Sequence, residues 1–354
     1  MTSDHSADSR TNRGKTLAHV VWQAEAVARN FVATRPRLFQ LALRLRAVLR
    51  GDTEQIRGEL APTQIYRGYS SAQAAMLRSL ITQQARREPD RVVDGFGQQT
   101  LLECVPFTTS FDLDRLTVPL PDDGYHAEAA EYIAVVDSVL KARSSYCVAE
   151  LGAGWGPWVG LGGVLARGRG FTDVTLIAAE AHPARFELLQ KHLATNLLYG
   201  ADNGVTCRLF NGAATVTRGP VFFPDVDVTA MGAAVSEGAY TTDYRGKDRP
   251  NLQVEGYPLS ELLGESSIDL LHLDVQGSEL ALIEANLDLI ARQVKAMMIG
   301  THSRTIEGGL IDLLYRNGWQ LELEKPCRVA WRVRGPSQEP LTEVDGCQYW
   351  RRRR

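Results

Sequence analysis

The sequence lacks the features that mark several large classes of protein. Its five cysteines are scattered, with no C-x-x-C pair, so neither a disulfide framework nor a structural zinc site is indicated. It contains no apolar run of about 18 residues that would cross a membrane, and its polar first residues lack the apolar segment of a signal peptide. We therefore expect a protein of the reducing cytoplasm.

An excess of one charge is missing as well. The 39 basic and 42 acidic residues give a net charge of -3, which offers no chain-wide reason to expect a nucleic-acid partner. At 354 residues, 44% of them hydrophobic, the chain is long enough for one large catalytic unit with an appendage, or for two domains. Composition alone names no chemistry.

The N-terminal third carries no recognisable chemical motif. Residues 1–16 are polar and predicted to be a disordered tail, and residues 17–124 are predicted to be a smaller α/β appendage for substrate recognition or oligomerisation. Residues 37–50 have an amphipathic helical pattern, in a region (1–60) with ten basic against six acidic residues. We favour packing of this helix on the protein body or on a second copy in a homo-oligomer; contact with an anionic membrane surface is the alternative.

From Ser145 onward, short apolar runs alternate with amphipathic helices, a pattern typical of a parallel sheet covered by helices. We assign residues 125–354 to this domain. The predicted strands are 147–151, 174–180, 205–210, 268–274, 295–301 and 319–325, and the predicted helices begin near Pro157, Pro183, Ser278 and Thr305. A Gly-, Pro- and Thr-rich insertion at 215–255 follows the end of a strand, where it is placed to cover a ligand site.

The strongest local signal is a glycine-rich loop between a predicted strand and a predicted helix. Glycines allow a tight turn and a close approach to a ligand, and the helix behind them offers free N–H groups. The residues singled out as cofactor contacts are Glu150, Gly152, Ala153, Gly154, Trp155 and Gly156. A dinucleotide site prefers G-x-G-x-x-G, but here Pro157 occupies the place of the third glycine and Glu150 would repel a pyrophosphate. A cationic cofactor, S-adenosylmethionine, is therefore favoured over NAD.

The next two strand ends suggest the rest of a nucleoside site. Glu180, followed by Ala181, ends a strand where a carboxylate can accept hydrogen bonds from both ribose hydroxyls; an ordinary acidic residue at a helix start is the alternative. The segment Asn211, Gly212 and Ala213 is small and polar, which suits the edge of an adenine ring.

Two further strand ends carry the candidate chemistry. Asp274 and His302 are expected at the carboxyl edge of adjacent strands, His302 as the general base of methyl transfer to a hydroxyl and Asp274 as the residue that orients cofactor and substrate. Capping of the next helix is the alternative for His302, and His272 is interpreted as a satisfied core histidine. One carboxylate and one imidazole are few ligands for a metal, so we expect no essential metal ion.

With these residues in hand, residues 145–325 resemble the class I S-adenosylmethionine-dependent methyltransferases, and more narrowly the FkbM-type family. The resemblance rests on the ELGAGWG loop, Glu180, the NGAA segment and the block IDLLHLDVQGSE at 268–279. It implies a Rossmann-like seven-stranded sheet with helices on both faces, and O-methylation of a sugar, glycolipid or secondary metabolite. The chain departs from the family block at two positions. His272 occupies a position where the family commonly has lysine, and Gln276 occupies one where the family has an acidic residue.

Two other functions stay open at this point. One is a cofactor-binding but non-catalytic partner of a biosynthetic enzyme, docked through the basic N-terminal helix. The other is an NAD-dependent oxidoreductase, which would bind NAD and not S-adenosylhomocysteine. The identity of the small-molecule hydroxyl acceptor does not follow from the residues.

Overall fold

The fold is taken from a computed structural model of the chain. It describes residues 70–105, 129–200, 204–225, 234–236, 238, 250–329 and 342–353, all of which belong to one unit, Gly68–Arg354. The predicted tail and the basic amphipathic helix at 37–50 lie outside the described residues. Within the described part of the chain, no helix is long and apolar enough to span a membrane.

A seven-stranded sheet forms the centre of the described unit. Its strands are β4 (Tyr146–Leu151), β5 (Val174–Glu180), β6 (Val205–Asn211), β10 (Leu270–Leu273), β11 (Ala296–Thr301), β12 (Trp319–Lys325) and β15 (Gly346–Arg352). Their spatial order is β12-β15-β11-β10-β4-β5-β6. The neighbours from β6 to β11 pair in parallel, whereas β15 runs antiparallel to both β11 and β12. The carboxyl ends of β4, β5, β10 and β11 therefore meet at one edge.

Helices connect and cover these strands. They are α1 (Ser71–Ser79), α2 (Ala129–Lys141), α3 (Pro157–Gly168), α4 (Pro183–Thr195), α5 (Leu259–Leu263), α6 (Glu279–Ala285), α7 (Leu287–Gln293) and α8 (Arg304–Arg316). Apolar side chains on the two faces of the sheet form two separate buried clusters. Every residue of β4 is buried, as expected of a central strand covered on both sides.

Smaller sheets surround the central one. Strands β7 (Ala213–Thr215), β8 (Gly219–Pro224) and β9 (Asn251–Pro258) form a three-stranded sheet in the order β7-β9-β8, and thus give the predicted insertion a regular frame. The others are β1 (Arg86–Arg87) with β2 (Arg91–Val93) and β3 (Gln99–Leu101), and β13 (Arg328–Val329) with β14 (Thr342–Val344).

The described part of the predicted appendage shares its core with the central sheet. Phe96, Cys104 and Val105 belong to the same buried cluster as helices α2 and α3. Gln99 and Asn196, the residue that follows α4, exchange two hydrogen bonds of 2.8 Å between the backbone of Gln99 and the side chain of Asn196. These contacts fix residues 70–105 against the part of the chain that contains α3 and α4, and the domain boundary at 124 stays a prediction.

The α/β class, the predicted strands and the predicted helix starts agree with the structure to within a few residues. Strand β15 is not among the strands predicted from the sequence, although its first five residues are buried. In the described part of the predicted appendage, helix α1 ends at Ser79, and Arg86–Arg87 form the short strand β1.

Candidate active site

A cavity opens where the carboxyl ends of β4, β5, β6 and β10 come together. This is the edge at which open α/β sheets hold their ligands. The side and main chains that line it are Gly152, Gly154, Ala179, Glu180, Ala181, Arg185, Gly212, Ala213, Ala214, Phe223, Val235, Asp274, Val275 and Gln276. The insertion contributes Phe223 and Val235 to this lining, and its role as the cover of a ligand site stays a prediction.

The glycine loop forms the floor of the cavity. Gly152, Gly154 and Gly156 all have positive φ angles, of 79°, 55° and 76°, a conformation that glycine adopts without steric cost. A Cβ at Gly152 would overlap the backbone oxygen of Asp274. The loop after β4 therefore packs directly on the end of β10, and only glycine fits at the contact.

The side chain of Glu150 does not line this cavity. It is buried, and its Oε2 accepts a hydrogen bond of 2.7 Å from the backbone N–H of Val159 in the first turn of α3. Burial raises the pKa of Glu150 to about 8, against the lowering effects of the nearby His272 and of the α3 backbone N–H groups. Its geometry is that of a helix cap, and direct contact with a cofactor stays a prediction.

Glu180 does face the cavity, and the backbone holds its carboxylate on both oxygens. Oε2 accepts a hydrogen bond from the N–H of Gly154, and Oε1 accepts one from the N–H of His182, each 2.8 Å long. Burial raises the pKa of Glu180, while the positive charge of Arg185 and these two hydrogen bonds act in the opposite direction. A buried carboxylate at this edge can accept hydrogen bonds from ligand hydroxyls.

A row of three ionisable side chains adjoins the cavity, and Asp274 is the member that lines it. His302, directly after β11, places Nε2 3.2 Å from Oδ1 of Asp274 and Nδ1 2.9 Å from Oε1 of Glu279. Glu279 is fully buried and also accepts hydrogen bonds from the N–H groups of Val275 and Gly277. Helix α8 is capped by Ser303, so capping does not account for His302.

The two carboxylates beside His302 favour the protonated form of its imidazole ring. Burial by itself lowers the pKa of His302, but the charges and hydrogen bonds of Glu279 and Asp274 outweigh it and raise that pKa well above its ordinary value. A neutral ring has an N–H on one nitrogen only, whereas the protonated ring has one on each nitrogen and carries a positive charge between the two carboxylates. Burial likewise raises the pKa of Asp274, but His302 and Gln276 outweigh it and lower that pKa below its usual range.

The same three residues are a candidate metal-binding group. One atom from each of Asp274, Glu279 and His302 lies within 4.8 Å of the others. However, the two carboxylates face opposite nitrogens of one ring, and those nitrogens point in diverging directions. One metal ion on Nε2 would thus have Asp274 as a second ligand, while Glu279 would orient the ring from behind.

The structure brings most of the predicted cofactor contacts to the cavity, but not all of them. Those that line it are Gly152, Gly154, Glu180, Ala181, Gly212, Ala213 and Asp274; those that do not are Glu150, Ala153, Trp155, Gly156 and Asn211. Ala153 and Trp155 are buried in the core, the latter edge-on to His192 with 4.8 Å between ring centres. Asn211 donates instead to the backbone oxygen of Glu180, at 3.0 Å. His302 is buried and is not among the lining residues.

Some site residues were missed in the sequence. Gln276 donates a hydrogen bond of 2.8 Å to Asp274, and Arg185, Phe223 and Val235 line the cavity. The sequence signal for Gln276 is its departure from the family block, which has an acidic residue at that position. The other three give no local signal, because they reach the cavity only through the packing of α4 and of the inserted sheet.

Comparison with known proteins decides the family. The family model described as "Methyltransferase FkbM domain" matches residues 165–315. A protein of Jannaschia sp. (strain CCS1) that bears the name "Putative methyltransferase" is 32% identical over 272 residues, which span 75% of this chain and 94% of that protein. The chain belongs to the FkbM methyltransferase family.

Solved structures of methyltransferases are also similar to this FkbM-family chain, at low identity. A methyltransferase FkbM from Methylobacillus flagellatus KT is 14% identical, with 65% of this chain and 56% of that chain covered and a TM-score of 0.36. A precorrin-6y C5,15-methyltransferase from Geobacter metallireducens GS-15 is 12% identical, with 66% and 92% covered and a TM-score of 0.35. The Rossmann-like sheet of this family is the seven-stranded sheet described above.

Proposed function

We propose that this FkbM-family protein transfers a methyl group from S-adenosylmethionine to a hydroxyl of a sugar, glycolipid or secondary metabolite. The observation that carries the proposal is the cavity that has the glycine loop as its floor and is lined by two carboxylates, the buried Glu180 and the half-buried Asp274. Glu180 suits the ribose hydroxyls. Asp274 suits the positive charge of the sulfonium part or the acceptor hydroxyl.

The residues present fit this cofactor. The glycines allow a ligand to approach the backbone closely, and the small lining residues Ala181, Gly212 and Ala213 leave room for a flat ring. Phe223 and Val235 add apolar surface beside them. When bound, the cofactor supplies the methyl group: the O–CH₃ bond forms as the S–CH₃ bond breaks, the sulfonium becomes a neutral thioether, and the hydroxyl proton passes to a base.

We assign the proton acceptor to the pair of Asp274 and His302. Asp274 lines the cavity, whereas His302 contacts it only through Oδ1 of Asp274, so His302 acts on the acceptor through that carboxylate. The ring has to lose its own proton before it can take one from the acceptor, because Glu279 and Asp274 favour the protonated form. Turnover is therefore expected to rise as the pH rises above neutrality.

A methyl-transfer screen tests the reaction. The full chain is incubated with S-adenosylmethionine that carries a deuterated methyl group and with hydroxyl-bearing glycosides and metabolites, and the products are analysed by mass spectrometry for a labelled O-methyl group. His302→Ala is expected to lower turnover by about 10²- to 10⁴-fold, the usual contribution of a general base, and to leave cofactor affinity nearly unchanged. Turnover that does not respond to His302→Ala would remove the base role.

A further inference from the structure

We propose that Gln276 is a positioning residue that orients the carboxylate of Asp274 toward the ligand; this inference rests on the proposed function. Its side-chain amide donates a hydrogen bond of 2.8 Å to Oδ1 of Asp274. The same oxygen lies 3.2 Å from Nε2 of His302. Two donors therefore converge on Oδ1 and fix the rotation of the carboxyl group.

The other oxygen of Asp274 is then the one presented to a ligand. Among the described residues, no hydrogen bond or ion pair reaches Oδ2. Asp274 and Gln276 both line the cavity. A methyl donor's sulfonium or an acceptor hydroxyl would meet a carboxylate whose orientation was set before the ligand arrived, which lowers the entropic cost of reaching the reactive arrangement.

The backbone conformation at Gln276 supports a functional role for its side chain. Its φ angle is 58°, in the left-handed region that glycine occupies most easily. The following residue, Gly277, also has a positive φ, of 114°, and its N–H is held by Glu279. A non-glycine residue in this conformation carries strain, and such residues cluster where a side chain is needed in one direction.

The neutrality of the amide is the second part of the proposal. Asp274 and Glu279 already place two negative charges around one imidazole. An amide adds a donor without adding a third charge. A carboxylate in its place would face Asp274 across a hydrogen-bond distance, and two carboxylates so close do not both ionise near neutrality.

Three variants separate these parts. Gln276→Gly removes the amide and relieves the left-handed conformation, so we expect turnover to fall about tenfold or more with an unchanged or raised melting temperature. Gln276→Glu keeps the size of the side chain but replaces the donor with a charge. Leu197→Gly is the matched control, because Leu197 has a φ of 56° and is 70% exposed, and it is not among the cavity-lining residues. Its turnover should equal that of the wild type.

The pH dependence of Gln276→Glu gives a result that a merely structural role does not produce. The acid limb of its rate profile should move upward by about one pH unit or more, and the NMR titration of His302 should shift in the same direction. An unchanged profile together with full turnover of Gln276→Gly would overturn the proposal. If the wild type transfers no methyl group, the proposed function fails, whereas the NMR titration still tests Gln276.

Discussion

The two carboxylates that line the cavity are held in different ways. In the part of the cavity that we propose for the nucleoside (the nucleoside end), backbone N–H groups of Gly154 and His182 bind both oxygens of Glu180. In the part that we propose for methyl transfer (the chemical end), side chains of His302 and Gln276 bind one oxygen of Asp274. Backbone donors do not titrate and stay in place when side chains are exchanged. Side-chain donors change with pH and with sequence.

Under the proposed function, this difference suits two separate roles for the two carboxylates. A methyl-donor site has to bind the same molecule at all times, so a backbone-held carboxylate is sufficient there. The end that handles the acceptor and its proton needs an adjustable charge, which the row of Asp274, His302 and Glu279 supplies. Gly152 joins the two ends, because its backbone packs on that of Asp274.

A substitution at Gly152, whose backbone packs on that of Asp274, should give the largest effect. Gly152→Ala should lower the free energy of unfolding by about 2–6 kcal/mol. This is the sum of the cost of a left-handed conformation at a non-glycine residue and the cost of steric overlap with the backbone of Asp274. Gly170→Ala is the matched control, since Gly170 has a φ of 84° but no atom within 4 Å of an added Cβ; it should cost only about 1–3 kcal/mol. Equal losses in denaturant unfolding would show that the two ends are not tightly joined.

Asp274→Asn should damage the chemical end alone. Turnover is expected to fall by about 10²- to 10⁴-fold, because an amide does not accept the proton, while the affinity for S-adenosylhomocysteine changes little. Asp312→Asn is the control, in a surface pair with Arg316 at 2.7 Å, and should be silent. If Asp274→Asn weakened cofactor binding as strongly as turnover, Asp274 would belong to the cofactor end.

Glu180→Gln should damage the nucleoside end alone. Hydrogen bonds to a charged group contribute about 1.5–3 kcal/mol, so affinity for S-adenosylhomocysteine should fall about 10- to 100-fold, with turnover at saturating cofactor nearly unchanged. Glu187 is an exposed residue of helix α4, and Glu187→Gln provides the control. Calorimetry measures both. Unaltered affinity in Glu180→Gln would contradict the ribose role.

The pH profile should respond at the chemical end only. Because the pKa of His302 is raised by its two carboxylates, the fraction of deprotonated ring grows about tenfold per pH unit below that pKa. Turnover should rise accordingly above neutrality, while cofactor affinity stays flat. A rate that does not vary with pH, measured with saturating cofactor, would mean that His302 remains protonated and serves to hold Asp274.

The smallest effect is expected from a chelator. Glu279 lies on the far nitrogen of His302 from Asp274, which leaves only two of the three side chains to share one ion. Turnover with and without a chelator should therefore agree within about twofold, since Mg²⁺ and Ca²⁺ take oxygen ligands and only one carboxylate and one imidazole would face a single ion here. If the chelator abolished turnover and added Mg²⁺ restored it, Asp274, His302 and Glu279 would be assigned to a metal site.

Local sequence patterns were sufficient for the frame of the molecule. The strand ends at Glu180, Asp274 and His302 follow from alternating apolar runs, and parallel strands bring their carboxyl ends to one edge. The direction of side chains was not predictable in the same way. Glu150 turns to the first turn of α3, and Glu279 turns back to His302. Both choices depend on neighbours distant in sequence, as does the pairing of β15 between β11 and β12.

The most direct test of the account is calorimetric titration of the full chain with S-adenosylhomocysteine and with NAD. We predict that S-adenosylhomocysteine binds, that NAD does not, and that Glu180→Gln weakens the binding of S-adenosylhomocysteine. Binding of NAD without binding of S-adenosylhomocysteine would contradict the proposed cofactor, and with it the division of the cavity into a nucleoside end and a methyl-transfer end.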